Sequence, residues 1–345
     1  VGLIGLGENW QSMHRPALRM LGERFDVRAI YANVAKLAEN AVIEFQADPV
    51  DGYQSLVNRD DIDAVLILER SWLRFLPAMA ACRAGKAVYW AGDLDLDPQL
   101  DGELRSCVES SGVAFMAGLP RRFAPATLRL KELVATHLGA PRLIFCHKRL
   151  DLKPENGRSR RRDDSVDTRV HPDQQRSVAI RTELIELIDW CGYIVGRCPQ
   201  SVSSSSQIEP GMGDDYESLT LTFTKATGDQ PAPAVTAQIS CGTYIPARWQ
   251  EAIGFRPPAA MQVCCQRGVA FIDLPGTLVW FDDAGRHQES LDGEAPVGEK
   301  MLGQFHRAVT SLVRNLSGLE DAYQAASILR AARQSNLDGQ RISLD

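Results

Sequence analysis

The sequence predicts an α/β protein of two domains. A doubly wound parallel sheet is expected over residues 1–120, and an α+β domain with a largely antiparallel sheet over residues 121–345. Three observations carry this. The 345 residues exceed what a single hydrophobic core usually serves. The first third alternates short apolar runs with helix-like stretches. Beyond about Pro120 the strands follow one another and helices flank them.

Taken in order, Val1–Ile4, Val27–Tyr31, Ala64–Leu68, Ala87–Trp90 and Ala114–Ala117 read as strands, apolar almost throughout, as a sheet covered on both faces requires. Between them Pro16–Leu21, Val34–Phe45, Phe75–Ala84 and Leu100–Ser110 carry helical patterns, so the segment reads as βαβ units. A helix over Pro125–His137 then leads to a strand at Arg142–Lys148. A polar stretch of some 30 residues follows, with the basic run Arg158–Arg162 and then His171-Pro172. Loops of that length usually serve as lids or stay disordered. After a helix at Ala179–Val195 come the strands Ser218–Thr224, Val235–Ser240, Met261–Cys265, Val269–Asp273 and Leu278–Phe281, and helices near Leu302–Leu316 and Glu320–Arg333 close the chain.

Composition narrows the function. A net charge of −6 argues against a nucleic-acid binder, and no apolar run is long enough to cross a bilayer. The eight cysteines form no C-x-x-C pair and sit mostly in apolar runs, which fits structural thiols in a reducing compartment. The chain opens on a strand-like run with no charged leader or cleavage site, and a cytoplasmic protein is expected.

Gly5-Leu6-Gly7 directly follows the first strand and precedes a helix. In that context the first glycine permits a tight turn, and the second lets the backbone approach a pyrophosphate. These three residues are therefore the candidate dinucleotide contacts, with NAD or NADP as the cofactor such a turn would take. The remainder of the fingerprint departs. Trp10 stands at the third glycine, where an indole is expected to hinder close helix–strand packing. Ala32 stands where an acidic residue would hold the ribose hydroxyls, with Asn33 or Lys36 as substitutes.

Val1–Leu18, Asp61–Leu68, Gly85–Leu96, Gly112–Leu133 and Ile188–Gly196 together resemble the Gfo/Idh/MocA family of NAD(P)-dependent oxidoreductases, and the chain is identified as a divergent member. The resemblance implies a Rossmann domain followed by a sheet domain whose open face often mediates oligomers. It also implies a catalytic set that this chain lacks. The family's Glu-Lys-Pro, whose lysine contacts substrate and helps move its proton, falls on Ala91, Gly92 and Asp93. Its Asp and His, four residues apart on the first helix of the second domain, fall on Thr182 and Glu186. A carboxylate thus replaces an imidazole that trades protons near neutral pH. Its Thr-Pro-Asn segment falls on Glu69-Arg70-Ser71, and a carboxylate there repels a pyrophosphate unless Arg70 neutralises it. The glycine loop is one residue longer than usual before His14.

Glu186 is the candidate general base, and Lys148 the candidate replacement for the lost ammonium. Asp93, Thr182 and Glu186 are the candidate substrate contacts. Against these stand ordinary alternatives: a helix-surface Glu beside Glu183, and a strand-surface Lys. The Arg158–Arg162 run reads as an anion contact or as a solvated loop, and Arg121-Arg122 as a brace at the domain junction. His171 has no Cys or His at ligand spacing, so no metal is expected. Three functional readings stay open. The first is a dehydrogenase-like protein with an altered hydride-transfer site that binds a small sugar-like ligand. The second is an active NAD(P)-dependent sugar or polyol oxidoreductase with a rebuilt site. The third is a non-catalytic homo-oligomeric subunit that assembles through the second-domain sheet.

Overall fold

The computed structural model describes residues 1–69, 73–92, 98–150, 172–207, 216–224, 234–243, 259–311 and 317–344. Two compact units emerge, residues 1–125 with 293–326, and residues 126–292 with 327–345.

In the first unit, β1 (Gly2–Ile4), β2 (Ala29–Tyr31), β3 (Asp48–Pro49), β4 (Ala64–Ile67), β5 (Ala87–Trp90) and β6 (Phe115–Ala117) form one sheet in the order β3-β2-β1-β4-β5-β6. Every pair is parallel. This is the doubly wound order, and its direction reverses between β1 and β4, so a ligand crevice is expected at their carboxyl ends. The central strands β1, β4 and β5 are fully buried because helices α1 (Arg15–Met20), α2 (Ala35–Phe45), α3 (Tyr53–Val57), α4 (Leu76–Arg83) and α5 (Pro98–Ser111) occupy the connections. Helix α6 (Pro125–Leu133) begins at the boundary between the units.

A π-helical turn, Trp10–His14, lies between the glycine loop and α1. Its i→i+5 bonding takes in one more residue per turn than the α-helix that follows. Trp10 therefore does not hinder packing as expected. Its indole is buried in the core with Leu3, Leu18 and Ile30 and lies against Phe45, with ring centroids 6.0 Å apart.

The second unit is built on a nine-stranded sheet, with β7 (Pro141–Arg149) and β10 (Val235–Gly242) parallel at its centre. Around them β8 (Ser201–Gln207), β9 (Tyr216–Phe223), β11 (Met261–Cys265), β12 (Val269–Asp273), β13 (Thr277–Asp282) and β14 (Gly285–Ser290) pair antiparallel, as does the short β15 (Ile342–Ser343) at one edge. Helix α7 (Pro172–Val195) lies on one face. It buries Ile180, Leu184, Ile188 and Trp190, whose indole N–H donates to the Thr127 hydroxyl at 3.0 Å. Helix α8 (Val297–Thr310) packs in the first unit, and α9 (Ser317–Asp338) begins in the first and ends in the second.

The alternation along β7 to β13 sends one set of side chains to α7 and the other outward. Outward, the register builds two rows across four strands: Leu143, Cys264, Val269 and Phe281, then Phe145, Gln262, Phe271 and Val279. Leu143, Phe145 and Phe281 are 44, 37 and 40% exposed, large apolar groups on one side of a sheet.

Sequence reading missed β3, α3, β8, β14 and β15, and it began α7 at Ala179, seven residues late. The first turns of α7 are polar, so apolar periodicity carried no signal there, and Pro172 is the N-terminal residue that tolerates a missing N–H. The basic run Arg158–Arg162 and His171 lie outside the described residues.

Candidate functional site

At the carboxyl end of β1 the chain turns through Gly5 at φ +76°, a left-handed conformation that glycine adopts without strain. The Gly5 N–H is spent within the sheet edge, donating to the Tyr31 carbonyl at 2.7 Å. A methyl group on Gly5 would overlap the side chain of Glu69, and one on Gly7 would lie 2.5 Å from the Leu68 carbonyl oxygen. Both glycines are therefore required by the end of β4, which crosses close over the turn.

Glu69 is the residue that closes in. Its carboxylate accepts the side-chain amide of Asn33 at 2.9 Å and lies near the Leu6 backbone without a well-aligned bond to it. Asn33 in turn accepts the Tyr31 hydroxyl at 3.0 Å. Burial pushes the Glu69 carboxyl above its ordinary value, and the Leu6 N–H partly offsets this. Among the described residues no ammonium or guanidinium pairs with it. Arg70, expected to neutralise this carboxylate, lies outside the described residues, as do Ser71 and Trp72. Asn33, a candidate substitute for the ribose-binding acid, spends its amide on Glu69. Ala32 offers no polar group, and Lys36 is exposed.

The turn thus has the backbone shape of a dinucleotide turn, but the residues present do not suit a pyrophosphate. An anion of the chain itself already stands against the turn, and a phosphate beside that carboxylate would meet like charge.

The lysine position shows a second closure. Gly92 follows β5, and the indole of Trp90 folds over it. A Cβ on residue 92 would lie 2.7 Å from the Trp90 ring, less than any real Cβ contact. The ring is buried, stacked obliquely on Phe75 with centroids 5.0 Å apart. Asp93 lies outside the described residues. At the end of this unit Arg122 forms an ion pair with Asp321 at 2.6 Å, beside a cavity of about 110 Å³. The basic pair predicted at the junction is thus engaged, through Arg122, inside the first unit.

In the second unit the candidates lie on α7 and β7. Thr182 donates its hydroxyl to the Val178 carbonyl of its own helix at 3.0 Å, a local bond that turns it back on the helix. Glu183, one residue further on, takes the Lys148 ammonium at 3.9 Å. Lys148 continues the β7 row of Ile144 and Cys146 that faces α7, so the strand alternation directs it to the helix. Glu186 stands one helical turn beyond Thr182 and is half-buried.

Comparison with known proteins agrees with the architecture. Residues 1–90 match the family model described as an oxidoreductase family with an NAD-binding Rossmann fold, Gfo/Idh/MocA. Over these residues the chain is similar to the Gfo/Idh/MocA oxidoreductases. A dehydrogenase from Aspergillus oryzae, aclE, is 31% identical over 117 residues, which covers 33% of this chain. The matched part spans about a third of that relative's length, 32%. Solved structures extend the likeness over the whole chain at the level of fold. The aldose-aldose oxidoreductase of Caulobacter crescentus, solved with glycerol, superposes with TM-score 0.77 at 14% identity, covering 99% of this chain and 98% of that one. An NAD-binding oxidoreductase from Klebsiella pneumoniae superposes with TM-score 0.75 at 16% identity, covering 100 and 98%.

Sequence reading expected the glycine turn, which the structure places at the end of β1. It flagged Glu69 only as a repulsive neighbour, missing its place against Gly5 and its bond with Asn33, and it missed the Trp90 ring beside Gly92. The signal for Trp90 was present, an aromatic ending a strand two residues before a glycine.

Proposed function

We propose that this chain is a dehydrogenase-like protein in which ordinary hydride transfer has been given up, and which binds a small sugar-like ligand. The observation that carries the reading is the Trp90 indole over Gly92. The family's lysine is absent, and its starting atom would collide with a buried ring. The change is thus accommodated by packing, as in a repurposed site, rather than left as a hole. Glu186 in place of an imidazole points the same way. The Caulobacter relative acts on aldoses and was solved with glycerol, which supports a polyhydroxylated ligand here. Lys148 is paired with Glu183, which weighs against its serving as the proton donor of a rebuilt site.

The test is to incubate purified protein with NAD or NADP and a panel of aldoses and polyols. Nicotinamide absorbance and melting temperature are followed together. No turnover is expected, while at least one sugar raises the melting temperature through binding to the folded state. The variant Gly92→Lys stays inactive, because its side chain has no room. Steady oxidation of any of these alcohols by wild-type protein overturns the reading.

The reading includes a homo-oligomer formed through the open face of the second sheet. Its support is the contiguous rows of Leu143, Phe145, Phe271, Val279 and Phe281, since apolar patches of that kind usually mark interaction surfaces. Light scattering should find a dimer or larger species, and Phe145→Glu with Phe281→Glu should give monomers of unchanged helix content. A wild-type monomer would refute the assignment. None of the eight cysteines is joined in a disulfide, and a cytoplasmic location is part of the same proposal.

A further inference from the structure

The glycine turn and the acidic residue above it define a device in their own right. At the point where the sheet changes direction, the carboxyl end of β1 presents the glycine turn, and the carboxyl end of β4 presents the Glu69 side chain against it. The arrangement is anchored on a third strand end, because Asn33 after β2 donates to the same carboxylate and is itself held by Tyr31. Three strand ends thus fix one acidic side chain against the turn, and Gly5 is shaped to receive it, as any Cβ there would collide with Glu69. An exposed glutamate with no such anchors would sample solvent and leave the turn to a ligand.

We propose that Glu69 is a built-in anion that caps the dinucleotide turn, so that the chain excludes NADH and NADPH by setting a fixed negative charge where a pyrophosphate would lie. Exclusion has two physical parts. The Glu69 side chain fills the space beside Gly5 that a phosphate would approach. A phosphate approaching the turn must also pass a fixed negative charge in a partly desolvated place, where screening by water is weak. The capped turn favours an uncharged ligand over a nucleotide, consistent with a sugar-like molecule bound without cofactor.

The experiment compares wild type, Glu69→Gln and Glu69→Ala in titrations with NADH, NADPH and ADP-ribose, read by nicotinamide fluorescence and by melting temperature. Glu69→Ala is expected to bind at least tenfold more tightly than wild type. Glu69→Gln is expected to lie between them, since its side chain still fills the space beside Gly5 while the charge is gone. Should Glu69→Ala fold poorly, Glu69→Gln against wild type decides. Equal affinity across all three proteins overturns the proposal, whether they all bind or none does. The inference rests on the reading of this site as altered, but the two fail differently. Alcohol oxidation by wild type removes the functional reading, whereas unchanged affinity in the variants removes the cap.

Discussion

Replacing Arg333 by methionine is expected to destabilise the second unit by about 2–4 kcal/mol. Arg333, on α9, forks onto Glu217 of β9 with its terminal nitrogen 2.9 Å from one oxygen and its inner nitrogen 3.4 Å from the other. The Glu217 side chain is only 6% exposed, while that of Arg333 is 38% exposed. The carboxylate therefore depends on its partner and not on water. Removing the guanidinium leaves a buried charge uncompensated, a change costing about 3–5 kcal/mol where both partners are fully buried. The exposed side of Arg333 admits water to the gap, which is why the lower range is expected. Hydrogen exchange should localise the loss to β8, β9 and β10. The double variant Arg333→Met with Glu217→Leu should recover most of it, because an apolar pair of similar size needs no partner. If the single variant melts like wild type, the pair does not hold the helix to the sheet.

The same dependence on tertiary context explains what could be read from the chain and what could not. Strands such as Ala87–Trp90 and Met261–Cys265 were legible to the residue, because apolar or alternating patterns of that length have few other uses. Strand β8 was not. Its sequence is mostly serine, and only Val202 is deeply buried. It is held by pairing with β9 and by α9, where the Ser335 hydroxyl accepts the Ser204 N–H and the Asn336 side chain accepts the Ser206 N–H. Those partners are distant in sequence and leave no periodic trace. Strand β14 is polar for a similar reason: it is an edge strand, with Arg286 and Glu289 turned to solvent or to Arg129.

The candidate site divides along the same line. Gly5-Leu6-Gly7 was legible because a tight turn after a strand needs glycine wherever the chain comes from. The departures from the family's motif at Gly92, Thr182 and Glu186 are read from resemblance alone. What packs around those positions depends on which side chain a strand end aims at which turn. The Trp90 ring and the Glu69 carboxylate take up room that the sequence showed only as missing.

Lowering the pH from about 6.5 to about 4 is expected to cost the first unit about 3 kcal/mol through His14 alone. His14 closes the π-helical turn and is 1% exposed. Its Nε2 lies 3.3 Å from the hydroxyl of the fully buried Tyr89, and its Nδ1 has no hydrogen-bond partner. Burial lowers its pKa to about 4, and the nearby Asn9 backbone softens the effect without making a well-aligned bond. The folded protein thus holds the ring neutral, whereas the unfolded chain takes up a proton below its ordinary value of about 6.5. Stability from this source is complete above that pH and is lost as the pH falls toward the folded value, after which both states are protonated and the loss levels off. Carboxylates titrate over an overlapping range, so the measurement is a difference. Urea unfolding of wild type and His14→Gln is followed by hydrogen exchange in β1, β4 and β5 at several pH values. The two curves should run parallel near neutrality and diverge on the acid side, with wild type falling faster. Parallel curves throughout would mean that the ring charges freely in the fold, and that a local rearrangement of the π-helical turn opens it to water before the sheet unfolds.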